Sequence, residues 1–572
     1  MLWYSNIVLL ASIISAFFSV HARPAEAQRG GSVIHIPLKR VHNIGRSDIH
    51  PILLYQQHAN RGNRRLAQMT SRTPPTNEEM RRNIEKRLHI LSSPHSASLG
   101  PRDEVNLEKR FYVLPGTPAN PQESHSELDN REYLLSTEKT AAPIVRSHPR
   151  DISRGLMDRF KRSSSSDNIG VRAHHHHHKG VSAVNCTTDG GTVNGTSVVV
   201  NSTTSTGSTT GGFSQVDLNA ANNGGLTASN VTDSTGTTGL AIVANDVGYV
   251  AQVQIGTPAQ NFSILMDSGS ADFWVGSTEC KDSKTGAACG NQHHFLGPTT
   301  SSSFVDLGDP FEVTYGSGKV SGTIVSDTVT LAGMVLTGHG FGTSKLESPD
   351  FSGNDVAFDG LMGVAQSRLS KQGMPTPIEA LAVAGAIPSA VTSFKLSRLA
   401  DGTNDGQVTI GGLNTALFNA TTLVSVPNVS QSGFWEVAVD HFSVNGRNLG
   451  LMGRTAIMDT GTTLIIAPPA DAKAVHAAIP GSRADGHGGF TIPCTTTASI
   501  ALTVGGRNFA IDPRDMTFLP VSPANLTGDC VSGISSGAIG AATEWLVGDV
   551  FLKNAYFSTD VTKNTVSLAH LV

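Results

Sequence analysis

At 572 residues the chain is too long for one compact core, so two or more units are expected. Its formal charge of −4 is unevenly divided: residues 1–236 carry 26 Lys+Arg against 19 Asp+Glu, about +7, and residues 237–572 carry 16 against 27, about −11. A basic front and an acidic back attract each other at neutral pH and less so as carboxylates protonate, while the acids interspersed through the front half argue against a nucleic-acid partner.

The chain opens with an uncharged apolar stretch, Ile7 to Val20, followed by small residues at Val20-His21-Ala22 and Ala25-Glu26-Ala27. It is shorter than the roughly 20 residues of a spanning helix, and residues 1–22 read as a secretory signal peptide rather than a signal anchor. No later run approaches that length, and the end, Ser567 to Val572, has no apolar anchor tail. Export makes the five cysteines disulfide candidates: Cys280 and Cys289 would close a small loop, Cys494 and Cys530 a longer one, and Cys186 is left over. Eight Asn-x-Ser/Thr acceptors fit an exported chain: Asn185, Asn194, Asn201, Asn230, Asn261, Asn419, Asn428 and Asn525.

Residues 23–162 form the basic zone. Val33–Leu38 alternates like an edge strand. Thr76 and Glu79 form a capping box ahead of Met80, Ile84, Leu88 and Leu91 at helical spacing, so a helix is expected there. Dibasic pairs at Lys39-Arg40, Lys109-Arg110 and Lys161-Arg162 are candidate processing sites. The last is favoured because a serine run follows it. Residues 163–238 are rich in Ser, Thr, Gly and Asn and read as a disordered, glycosylated linker whose His174–His178 run is solvated rather than metal-binding. From Leu240 onward, short Val/Ile/Thr/Phe-rich strands alternate with Gly, Asn and Asp, and helical spacing survives only at Pro377–Ala386 and Ala470–Ile479. The expected fold class is mainly β, with two similar lobes over residues 239–412 and 413–572.

Two short motifs recur in this β region. Leu265-Met-Asp-Ser-Gly269 and Ile457-Met-Asp-Thr-Gly461 each deliver one aspartate into a turn made by a small hydroxyl residue and a glycine. Each is followed at a similar distance by a second motif, Phe358-Asp-Gly-Leu-Met-Gly363 and Trp545-Leu-Val-Gly-Asp549, so each half is expected to thread a glycine-tipped strand beside its aspartate turn. Asp267 and Asp459 would then face each other. Two carboxylates held this close share one proton: the ionised one can take a proton from a water between them while the protonated one polarises a substrate carbonyl. Ser268 and Thr460 are placed to hydrogen-bond across the two-fold. Gly269 and Gly461 give access to the carboxylates, and Ser270 and Thr462 can donate to their outer oxygens. No phosphate loop, metal-ligand spacing or Ser/His/Asp arrangement competes, so neither a cofactor nor a metal is expected.

With these motifs in view the chain resembles a pepsin-family (A1-type) aspartic endopeptidase of the secreted fungal kind, over roughly residues 240–572. Tyr249–Pro258 resembles the family's first hairpin, Asp267–Ser270 with Phe273-Trp274-Val275 its first catalytic loop, and Asp459–Thr463 its second. Tyr315-Gly316-Ser317-Gly318 resembles the flap tip, which implies a hydrogen bond between the Tyr315 hydroxyl and Trp274. The resemblance also implies disulfides Cys280–Cys289 and Cys494–Cys530, a bilobal fold with the cleft between the lobes, peptide substrates and pepstatin-type inhibitors. It further implies a zymogen whose basic propeptide, residues 23–162, inhibits the enzyme from within, although no blocking lysine can be named. Ser268 stands where threonine is usual and keeps the hydroxyl. Ser317 stands where some fungal relatives carry aspartate, which implies poor cleavage after lysine and a preference for large apolar residues. Leu265, Phe351, Phe358 and Leu361 are candidates for that first pocket and Ile457 for the next. A secreted monomer is expected, with the vacuole as the other location. Two other readings compete, a non-catalytic binding protein on the same scaffold and a cell-surface glycoprotein. The first is disfavoured because both aspartates, their glycines and the flap tyrosine are present, and the second leaves the aspartate motifs unexplained.

Overall fold

The computed structural model describes residues 49–92, 211–537 and 543–572. They belong to two compact units, 49–75 with 213–572, and 76–92. The signal-peptide reading, the Val33–Leu38 strand, the dibasic pairs, the histidine run and Cys186 lie outside the described residues.

The N-terminal part of the larger unit is helix α1, Pro51–Met69, with Pro51 at its first position and the His50 ring accepting from the Ile52 amide at 3.3 Å. One face of α1 carries Leu53, Leu54, Tyr55, Ala59, Leu66 and Met69, all buried. The smaller unit is helix α2, Asn77–Ser92, opened by the expected capping box: the Thr76 amide donates to Glu79 at 2.8 Å, and the Glu79 amide to the Thr76 hydroxyl at 3.2 Å.

The expected linker to residue 238 is corrected at its C-terminal end, because the folded body begins at Phe213. Helix α3, Gln215–Asn223, is capped by Ser214 and buries Leu218 and Ala221, and the Phe213 amide donates to Leu526 O at 2.7 Å. A short strand, Leu226–Thr227, then pairs with Ile242 and Val243. Composition misleads here because several polar side chains, though many are exposed, also tie the stretch to the body by hydrogen bonds. Asp233 accepts from Thr238 and Gly239, and Asn404 donates to the Thr227 and Leu240 carbonyls.

Thereafter the body is strands. The strands that carry the site are β1 (Gln260–Asp267), β2 (Phe273–Asp282), β3 (Val305–Thr314), β4 (Lys319–Leu331) and β5 (Gly360–Gly363) in the first half. In the second half they are β6 (Arg454–Met458), β7 (Ile465–Ala467) and β8 (Glu544–Val547). A 14-stranded sheet holds the first five and also takes in the C-terminal strands Tyr556–Asp560 and Thr565–Ala569, so the two halves share one backbone ladder. The second half adds a five-stranded sheet containing β6 to β8 and two four-stranded sheets. The predicted helical stretches appear as Pro377–Val383, with its own Thr376/Glu379 capping box, and Pro469–Ala477.

The same threading occurs in both halves. β5 runs parallel to β1, pairing Asp267 with Gly363, and antiparallel to β2. β8 runs parallel to β6, pairing Met458 with Val547, and antiparallel to β7. In each half the chain leaves the Asp strand, turns, and comes back on the far side of the glycine-tipped strand. Buried charges fix the second half further: Asp471 accepts from Arg454 of β6 at 2.6 Å and from the Trp545 indole of β8 at 3.0 Å. Disulfides Cys280–Cys289 and Cys494–Cys530 close with Cα separations of 5.4 and 4.9 Å.

Asn428 is buried, its side-chain amide donating to Asn564 at 3.0 Å and its oxygen accepting from the Ser430 and Glu436 amides. Asn230, Asn261, Asn419 and Asn525 are exposed. Mass spectrometry of glycopeptides from a eukaryotic host should find Asn428 unmodified, and a glycan there would contradict this packing.

Candidate active site: two aspartate turns and an arginine

β1 ends at Asp267 and β6 immediately before Asp459, and both aspartate side chains are fully buried. The two turns interlock. The Ser268 amide donates to Thr460 Oγ1 and the Thr460 amide to Ser268 Oγ, each at 3.0 Å. The hydroxyls pass the bonds on, Ser268 to Met458 O at 3.0 Å and Thr460 to Met266 O at 2.8 Å. Two bonds thus tie tip to tip and two tie each tip to the strand of the other half, and serine serves as well as threonine because only the hydroxyl is used.

Each carboxylate is held in matching fashion. Oδ1 of Asp267 accepts from the Gly269 amide at 2.9 Å and Oδ2 from Ser270 Oγ at 2.6 Å. For Asp459 the donors are Gly461 at 3.0 Å and Thr462 at 2.6 Å. A Cβ on Gly269 would collide with Asp459 Oδ1, and one on Gly461 with Asp267 Oδ1. Glycine is therefore needed because the opposite carboxylate fills that space. Burial is the first force on Asp459. It outweighs the pull of Arg65 and, helped by the Asp267 charge, raises the Asp459 pKa to about 6.

The cation is Arg65 of α1, which the sequence reading missed. Its Nη2 donates to Oδ1 of Asp267 and, at 2.8 Å, to Oδ1 of Asp459, while Nε lies 2.5 Å from Oδ2 of Asp459. Burial opposes its charge, but the two carboxylates prevail and hold its pKa above the ordinary arginine value. Two further arginines of the same segment meet acids of the body: Arg61 Nη2 lies 2.9 Å from Asp350, and Arg72 reaches Glu544 through two contacts of 2.9 and 3.2 Å. α1 comes this close partly because Gly62 packs on Ile466, where a side chain would collide. The signal for α1 was its apolar residues at 52–55, 59, 66 and 67. Arg61, Gly62, Asn63, Arg64 and Arg65 interrupt that pattern.

β3 and β4 form a hairpin whose tip is Tyr315–Gly318, closed by a Tyr315 amide to Gly318 O bond of 2.7 Å. The Trp274 indole donates to the Tyr315 hydroxyl at 2.9 Å. Phe351 stacks edge-on against both rings, and Leu361, Leu265 and Phe358 belong to the same apolar cluster. Arg61 O and the Arg65 side chain press against Gly316, and Ser317 is half-buried beside it. Ile457 lies apart from this cluster. It is buried in the main core, paired across to Glu436 and Leu546, and shows no open face in this state. Beyond the aspartates, Asp549 is fully buried and neither carboxyl oxygen has a hydrogen-bond partner among the described residues. Burial pushes its pKa well above the carboxylate range. The one group of possible metal donors among the described residues, Cys280, Cys289 and Glu347, has both sulfurs committed to the disulfide.

Two interlocked aspartate turns, each beside a threaded glycine strand and overhung by a tyrosine-tipped hairpin, define a pepsin-like β fold. Residues 248–571 match the family model for eukaryotic aspartyl protease, more than half the chain, and the chain belongs to that family. It is 37% identical over 326 residues to the "Probable aspartic-type endopeptidase CTSD" of Arthroderma benhamiae, the match covering 57% of this chain and 61% of that relative. It is 30% identical to the major aspartyl peptidase 1 of Cryptococcus neoformans, covering 59% of this chain and 72% of the relative. To the cathepsin D of Dictyostelium discoideum it is 31% identical, covering 57% and 83%. This chain thus spans less than two thirds of the length of the Arthroderma relative.

Proposed function

We propose that this chain is the zymogen of a secreted aspartic endopeptidase that cleaves peptide bonds in acid with a water held between Asp267 and Asp459. The observation that carries the reading is the Arg65 guanidinium, whose Nη2 donates to the facing Oδ1 atoms of both aspartates. That point is where an attacking water would accept the general-base help of one carboxylate while the other, protonated, polarises the substrate carbonyl. Ser270 and Thr462 hold the outer oxygens, and the Tyr315 hairpin is suited to close over a bound peptide and exclude water. The two disulfides and the exposed sequons fit export. Among the described residues no helix is long and apolar enough to cross a membrane. A chain whose segment 49–75 fills the centre of its own cleft is inactive until that segment leaves.

Acid supplies the exit. Asp459, raised to about 6 in the closed state, favours that state most when protonated, so its contribution is present in acid and lost as pH rises through about 6. One proton on the pair leaves one negative charge to balance Arg65. A second leaves a buried arginine without a counter-charge, which is strongly unfavourable. Glu544 has the opposite sign: burial raises its pKa, but the bonds from Arg72 prevail and lower it, so its hold on the segment is present above the ordinary glutamate range and lost as pH falls through the depressed value. Release is therefore expected below the ordinary carboxylate range of about 4, not at 6. Cutting near Lys161-Arg162 by another protease is the second route.

After activation below about pH 4, digestion of casein or haemoglobin at about pH 3–5 should be blocked by pepstatin and fall by about 10²–10⁴-fold in Asp267→Asn. Pepstatin-insensitive or undiminished digestion would remove the endopeptidase reading. Arg65→Gln cannot balance the carboxylates and should raise the midpoint pH of activation by about one unit or more. An unchanged midpoint would mean that Arg65 is not the lock. With Ser317 at the hairpin tip in place of a carboxylate, peptides with Phe before the scissile bond should be cut about tenfold or more faster than those with Lys. Equal rates would dismiss the Ser317 argument.

A further inference from the structure

The N-terminal segment does more than block the aspartates, because it also displays what the rest of the cleft is built to hold. Three arginines of one stretch, Arg61, Arg65 and Arg72, each end on carboxylates of the body. Arg65 takes the aspartate pair. The other two flank it. Asp350 adjoins Phe351, the ring packed on Tyr315 and Trp274, and it also draws on the charge of Arg64. Glu544 opens β8, on the strand whose Leu546 and Val547 pair with Ile457 and Met458 just before Asp459. When the segment leaves, each acid loses its partner and faces the groove the segment occupied.

We propose that Asp350 and Glu544 are specificity-determining residues that select substrates bearing a basic side chain on either side of the scissile bond, at positions distinct from the apolar pocket. This rests on the endopeptidase reading. Arg61 and Arg72 stand in for those substrate side chains, each a guanidinium already seated on its carboxylate. The preference is separate from the Ser317 effect. Ser317 sits at the hairpin tip, where a lysine directly before the bond finds no counter-charge, whereas Asp350 lies outside the hairpin, on the short helical turn Pro349–Ser352 beside Phe351, and serves a neighbouring position. Spacing sets a coarse register. Arg61 and Arg65 are one helical turn apart, about 6 Å, or about two residues of extended substrate. Past Met69 the chain turns back instead of extending: Ser71 is left-handed at φ 53° and the Arg72 amide donates to Ala67 O at 2.8 Å, so Arg72 lies beside the last turn of α1 and reaches Glu544 from there, which fixes the other side of the site without a residue count.

The test uses the acid-activated full chain and a neutral parent peptide with an apolar pair at the cleaved bond, into which a single arginine is walked through each flanking position. Arginine about two residues to one side, and at one position on the other, should each raise kcat/KM about 3- to 5-fold over glutamine at the same position, mainly through KM. The gain should shrink in high salt. In Asp350→Asn the ratio of arginine to glutamine peptide should fall to about one on the first side only, and in Glu544→Gln on the second side only. Each ratio is taken within one variant, so a change in overall activity does not blur it. A flat arginine scan, or variants that keep both preferences while only activating at higher pH, would overturn the proposal and leave the two acids as anchors for the segment alone. Failure to cut the neutral parent at any acid pH would instead remove the endopeptidase reading, and this proposal with it.

Discussion

Two carboxylates facing each other with no access to water are the constraint on which this structure is organised. Asp267 and Asp459 cannot both be charged there unless something positive lies between them, and they cannot be held there unless every other lone pair has a donor. The fold meets the second demand with two copies of one device, a strand ending in Asp, a hydroxyl, a glycine and a hydroxyl. The inner hydroxyls cross to the opposite half, so neither turn has its full set of bonds without the other. The first demand is met from outside the β body, by Arg65.

The body's sheet pairing follows from the same requirement. Threading β5 and β8 beside the aspartate strands puts glycines where the backbone must pass close, at Gly363 against Ser270 and at Gly548 against Thr462. The 14-stranded sheet carries the C-terminal strands Tyr556–Asp560 and Thr565–Ala569 back into the first half, so the two halves are also joined by backbone hydrogen bonds away from the turns. Asp471, tied to both Arg454 and Trp545, anchors the two strands that frame the second turn.

Much of this was legible in the chain because the site is built from local motifs. The aspartate turns, the glycine strands, the hairpin tip and the capping box at Thr76 are each a few adjacent residues whose chemistry is the same before and after folding. What escaped were the features that exist only through long-range pairing. α1 has an apolar face, but the part entering the cleft is Arg-Gly-Asn-Arg-Arg, which breaks the helical pattern because it packs on carboxylates rather than on a core. A search for a lysine would not find it. Residues 213–238 read as solvated, and many are exposed, but a few of their polar side chains also bond to the backbone, at Gly239 and Gly406, a use that composition cannot show. Ile457 shares the apolar character of the cluster around Tyr315, but its strand neighbours turn it into the core.

The choice of a guanidinium over an ammonium has one more consequence. A point charge between two acids answers to each of them in turn, whereas a planar group bonded to both stays matched when either one is neutralised. Mild acidity therefore improves the charge balance of the closed form before stronger acidity destroys it. Such a device works as a threshold: a precursor could travel through moderately acidic surroundings without leaking activity and still open abruptly at its destination.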